Sequence, residues 1–115
     1  MVDARTISTE QLARQLEDGA IAEFWNVLTD DFFKGELIPG SRRVPLDHIG
    51  RELARLAVAK DTAITVYCSD RNCPQSSAAA DKLAALGYTN VQKYPGGLAE
   101  WKTSGRGVES LTRAA

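Results

Sequence analysis

Histidine occurs once in this 115-residue chain, methionine once and cysteine twice. His48 with Cys68 and Cys73 falls short of a usual structural zinc set, so no metal is expected, and His48 reads as a surface or helix-start residue. The two cysteines lie too close together to staple a fold, and a reducing compartment would keep them as thiols, so their value is chemical. Their spacing is also not the C-x-x-C of a thioredoxin-type motif. No apolar run approaches the ~18 residues of a membrane span, and the N-terminal stretch through Gln11 lacks the apolar core of a signal peptide. A cytoplasmic protein with no membrane partner is expected. No long block carries one sign of charge: 14 basic and 15 acidic residues leave a formal net charge of −1. That balance argues against nucleic acid as a partner, since general binding leans on a basic surface.

What is present is the mix of a globular protein, 43% hydrophobic and 25% charged. The length suits one domain, residues 1–115, with a core over about 7–107 and a frayed tail after Val108. Ser8-Thr9-Glu10-Gln11 reads as a capping box, Ile7 and Leu12 as a hydrophobic staple, and Gly19 as the stop of a first helix carrying Leu12 and Leu16. Ile21 to Leu28 is dense in β-branched and aromatic residues and predicts a strand. Thr29 to Glu36 reads as a helical turn and loop whose Phe32 and Phe33 cover the core. After the Ile38–Ser41 turn and the extended Val44-Pro45-Leu46, Asp47 is placed to cap a helix with Ile49, Leu53 and Leu56 on one face.

Ala63 to Tyr67 is a short continuous apolar run, the pattern of a central parallel strand buried on both faces. An alanine-rich helix from about Ser76 to Leu86, a strand at Val91–Tyr94, a turn at Pro95-Gly96-Gly97 and a short helix from Leu98 to Thr103 follow. Strand and helix alternating at this spacing imply βαβ units. The expected fold is therefore α/β, three layers, with a mostly parallel sheet of four or five strands and helices on both faces.

In open parallel sheets ligands bind outside the carboxyl ends of the strands. Cys68 follows the predicted central strand directly, and a helix starts a few residues later. Loop amides and a helix N-terminus would gather there and favour an anion. A free thiol with a pKa of ~8.5 is only about 3% ionised at neutral pH, so such a cradle would make Cys68 nucleophilic. Arg71 could add positive charge, with Asp70 working against it. The bland reading is a small buried residue at a strand end.

Ile64 to Trp101 resembles the C-terminal half of a rhodanese domain: a strand ending in cysteine, a loop, an alanine-rich helix, then Gly87-Tyr88-Thr89-Asn90-Val91 and Gly96-Gly97 through Trp101. Upstream, Gly35 to Ser41 resembles that family's G-H-I-P-G-A signature, and the likeness runs from about Ile7 to Gly107. The resemblance implies sulfur transfer, in which the Cys68 thiolate attacks a sulfane sulfur donor and holds the sulfur as a persulfide. The partners it implies are a small sulfur-containing anion such as thiosulfate and a thiol or protein acceptor. No metal or organic cofactor is implied. Substrate binding would fall to the loop, Ser69, Asp70, Arg71, Asn72, Cys73, Gln75 and Ser76, chiefly through its amides; Pro74 has none to offer.

The chain departs from the commonest pattern of that family. Its loop lacks Cys-x-x-Gly-x-Arg, is about two residues longer, and reads Cys68-x4-Cys73-x2-Ser76. Asn26-Val27-Leu28 stands where many relatives carry Asp-x-Arg, and the signature has Glu36-Leu37 in place of its histidine. A cysteine phosphatase would need an arginine six residues after its nucleophile; Pro74 and Ala79 occupy those positions for the two cysteines. Cys73 could instead be a resolving thiol for Cys68 or a packing residue. Arg42-Arg43 reads as a solvated pair, with docking of an anionic donor as the other possibility. A non-catalytic rhodanese-like module that binds a partner or senses redox state shares the fold and stays open beside the enzyme.

Overall fold

The apolar run ahead of Cys68 forms the centre of the molecule because it buries every side chain. The computed structural model describes residues 5–110. In chain order they form β1 (Arg5–Thr6), α1 (Thr9–Asp18), β2 (Glu23–Asn26), β3 (Glu36–Leu37), β4 (Arg42–Arg43), α2 (Ile49–Leu56), β5 (Ile64–Tyr67), α3 (Gln75–Ala85), β6 (Val91–Tyr94), α4 (Gly97–Thr103) and β7 (Glu109–Ser110). Five strands make one parallel sheet in the order β1-β6-β5-β2-β4, and β3 pairs with β7 in a small antiparallel ladder.

Strand periodicity sends alternate side chains to opposite faces, and each face has its own cover. Trp25, Ile64 and Val66 pack with Ile49 and Leu53 of α2 and with Ala79, Ala80 and Leu83 of α3. Phe24, Tyr67 and Tyr94 pack with Leu12 of α1 and with Leu98 and Trp101 of α4. The expected α/β layering is thus the observed one. The capping box is present as read: Ser8 Oγ accepts from the Gln11 amide at 3.1 Å, and the Ser8 amide donates to Gln11 Oε1 at 2.8 Å. Gly19 closes α1 in the left-handed conformation, φ 67°.

Several expectations need correction. The strand expected over Ile21–Leu28 pairs only over Glu23–Asn26, although Val27 and Leu28 remain buried beyond it. Phe32 does not cover the core; it is 58% exposed, while Phe33 packs against the α1/α4 side. Asp47 makes no cap, because the chain enters α2 through a turn of 3₁₀ helix at Leu46–His48. The tail does not fray at once after Val108: Glu109 and Ser110 pair with Leu37 and Glu36. The remainder of that expectation, residues 111–115, lies outside the described residues.

Candidate functional site

Asn26, Tyr67 and Tyr94 are register partners across β2, β5 and β6, so the three chains leave the sheet side by side. Cys68 therefore emerges between the β2 loop and the Pro95–Gly97 turn. Its carbonyl accepts from the Leu98 amide at 3.1 Å, and that of Ser69 accepts from Ala99 at 2.9 Å. Gly97 makes this approach possible: its φ is +60°, and a Cβ there would sit 2.5 Å from the Cys68 carbonyl oxygen. The Gly-Gly turn thus holds the cysteine peptide against the start of α4.

The rest of the loop folds on itself. Asp70 Oδ1 accepts from the Asn72 amide at 2.9 Å and its carbonyl from the Cys73 amide at 3.1 Å, an Asx-type turn that presents Cys73. Gln75 and Thr29 exchange two hydrogen bonds, 3.1 Å to the Thr29 amide and 3.0 Å to its hydroxyl, which braces the loop to the end of β2. Arg71 leaves the site. It forms an ion pair with Glu100 of α4, so the charge expected from it over the thiol is already spent.

A cavity of about 300 Å³ opens beside the loop, lined by Leu28, Phe32, Ser69, Asp70, Asn72, Cys73, Pro74 and Gln75. Five of the expected substrate-binding residues are on its wall: Ser69, Asp70, Asn72, Cys73 and Gln75. Arg71 is not on that wall, and Cys68 and Ser76 are buried. Leu28 and Phe32 were not anticipated. Their signal was positional, since the loop after a neighbouring parallel strand borders any site at the strand ends.

The two thiols differ in kind. Cys68 is 0% exposed, and its S–H donates to the Cys73 carbonyl at 3.4 Å. Burial pushes its thiol up to about 11, with Cys73 adding to the rise and the Ser76 hydroxyl and amide opposing it. The expectation that loop dipoles keep Cys68 anionic is therefore not met in this state; desolvation outweighs the helix-start donors. Burial also works against ionisation of Cys73. There the polar surroundings, Cys68 first and then Gln75 and Ser69, outweigh burial and lower the thiol from its ordinary value.

A pH dependence follows for Cys68. Its raised folded value means that the unfolded chain releases the proton first, so stability is present below ~8.5 and falls as pH rises above it. Chemical denaturation between pH ~8.5 and ~10, before tyrosines ionise, should show this decline. Cys68→Ala should flatten it; an unchanged slope would place the loss elsewhere.

The description "Rhodanese-like domain" fits residues 8–104. The chain belongs to the rhodanese-like domain family. Solved structures agree with this at the level of the fold. A protein from Bacillus halodurans superposes with TM-score 0.80 at 23% identity, over 93% of this chain and 77% of that one. Thiosulfate sulfurtransferase from Pseudomonas aeruginosa gives 0.80 and 23%, over 95% of this chain but 21% of the other. The human single-domain sulfurtransferase gives 0.72 and 20%, over 87% and 96% of the respective chains. No curated protein matches by sequence.

Within this rhodanese-like domain, the Asn26-Val27-Leu28 stretch is tied to the neighbouring strand by an arginine. Arg43 of β4 donates to the Asn26 side chain at 3.3 Å, to the Leu28 carbonyl and to Asp30 at 2.8 Å, and stacks 4.0 Å above the Phe33 ring. It is not the solvated residue the sequence suggested: its side chain is 14% exposed, against 49% for Arg42. Period-two alternation separates the neighbours. Among the described residues no helix is long and apolar enough to cross a membrane.

Proposed function

We propose that this chain is a sulfurtransferase that moves a sulfane sulfur from a small anion such as thiosulfate to a thiol or protein acceptor, carrying it as a persulfide on Cys68. The observation that carries this reading is a pair of free thiols, Cys68 and Cys73, on the loop between the end of the central strand and the start of α3, beside an open cavity that Cys73 lines. Similarity to proteins named as sulfurtransferases supports it.

The chemistry is nucleophilic and proceeds in two steps. A cysteine thiolate attacks the outer sulfur of thiosulfate, the S–S bond breaks, and sulfite leaves with the bonding pair. The persulfide's terminal sulfur then carries the negative charge, which main-chain N–H groups can hold in the way they hold other anions. An acceptor thiolate attacks that terminal sulfur and frees the cysteine. Nothing in these steps calls for a metal or organic cofactor. Free thiols at work imply a reducing compartment, and a cytoplasmic location is part of the proposal.

The sealed position of Cys68 favours a second reading, a non-catalytic redox module built on the same two cysteines. Intact-mass measurement after incubation with thiosulfate separates them. A gain of one sulfur in the wild type, absent from the Cys68→Ser/Cys73→Ser double variant, is the expected result. A disulfide after mild peroxide with no sulfur gained would support the redox module instead.

A further inference from the structure

The loop after β5 is fastened to α4 at three successive places: the Cys68 carbonyl on the Leu98 amide, the Ser69 carbonyl on the Ala99 amide, and the Arg71 side chain on Glu100. The first two hold backbone, and the third holds a charge. Resting on the sulfurtransferase reading, we infer that Glu100 determines donor specificity: it keeps Arg71 away from the cavity, so that the site disfavours a doubly charged oxyanion donor.

The pair is two-pronged: Arg71 donates from Nη2 to Glu100 Oε1 at 3.1 Å and from Nε to Oε2. Room for it is built into the turn. Gly96 has φ −63° and ψ −32°, a conformation open to any residue, so its backbone does not call for glycine. Its surroundings do. A Cβ there would lie 2.7 Å from Glu100 Cδ and Oε1 and 2.8 Å from Glu100 Cβ, because the carboxylate crosses Gly96 on its way to Arg71. Place in the loop completes the case. Arg71 stands between Asp70 and Asn72, which both line the cavity, while its own guanidinium is turned to α4.

Without that guanidinium the wall has the wrong sign for a dianion. Among the described residues, the charged side chain lining the cavity is Asp70, beside the apolar Leu28, Phe32 and Pro74. Lys34 and Lys102 line the adjoining cavity instead, and Lys102 is bound to both oxygens of Glu36, at 3.0 Å and 3.1 Å. Arg71 and Glu100 are 63% and 37% exposed, so their pair stands in water, where such a bond is weak. The carboxylate nevertheless competes well with a dilute donor, because it is tethered to the same molecule. Once released, the planar guanidinium fork suits the edge of an oxyanion. Glu100 is thus a positioning residue that acts by occupying Arg71.

The test is the initial rate of sulfur loading against donor concentration, followed by intact mass, with thiosulfate as a doubly charged donor and methanethiosulfonate as a singly charged one. Glu100→Gln should lower the half-saturating thiosulfate concentration by about fivefold, the worth of one partly solvated ion pair, and leave the limiting rate unchanged. The gain should be smaller for methanethiosulfonate and shrink at high salt. Glu100→Asp keeps the charge on α4 but draws the carboxylate back by about 1.5 Å, one carbon–carbon bond, so it should shift half-saturation in the same direction. In an Arg71→Gln background neither substitution should have an effect. Half-saturation unmoved in both variants, or a gain that persists without Arg71, overturns the inference and leaves the sulfurtransferase reading standing. No loading of wild type or variants by either donor overturns that reading and the inference with it.

Discussion

Gly97→Ala should destabilise the protein by about 3 kcal/mol and abolish sulfur loading. Two costs combine. A left-handed φ of +60° is unfavourable by roughly 1 kcal/mol for a residue with a Cβ, and that atom would lie 2.5 Å from the Cys68 carbonyl oxygen and 2.9 Å from the Ser69 carbonyl carbon. Backbone cannot yield as a flexible side chain can, so the Cys68–Ser69 peptide must shift. The shift would break its bonds to the Leu98 and Ala99 amides and withdraw the loop from the cavity. Gly105→Ala provides the control. Gly105 has φ +87° with nothing within 4 Å, so its substitution should cost only the conformational part, about 1 kcal/mol, and leave loading intact. Denaturant midpoints measure both costs; equal losses at the two glycines would show that the close approach does not matter.

Arg43→Met should cost about 2–4 kcal/mol, whereas Arg42→Met should cost less than about 0.5 kcal/mol. Arg43 reaches from β4 to Asn26, the Leu28 carbonyl and Asp30, tying the exit of β2 to its neighbour. Removing it strands the Leu28 carbonyl, and Leu28 itself is buried. Arg42 pairs with Glu23 at 3.5 Å, and its own side chain is 49% exposed. Leu28 and Phe32 line the cavity, so Arg43→Met should also slow sulfur loading. Urea unfolding of both variants is the test. A similar small loss for both would mean that the guanidinium network adds nothing to the fold.

The contrast between these arginines shows where reading a sequence stops. Adjacent identical residues carry identical local signals, and only the strand pairing turns one inward over Phe33 and leaves the other in water. The same holds for Arg71. Its place in the loop predicted charge beside a thiol, and Glu100, 29 residues later, claims it. Asp47 had the chemistry of a cap, but the 3₁₀ turn before α2 leaves it without that bond. In each case the deciding partner is distant in the chain or depends on backbone geometry that no short motif records.

By itself the sequence determined what depends on neighbours along the chain: the capping box at Ser8 and Gln11, the buried run Ile64–Tyr67, the placement of a cysteine at its end, and the order of motifs that marks the family. These follow from periodicity, turn chemistry and spacing, which are local properties. Tertiary structure alone decided which thiol lines the cavity, which is buried, and which cations are already paired. Those outcomes are set by desolvation and by partners brought together across the sheet, and burial is a property of the whole packed molecule rather than of any segment.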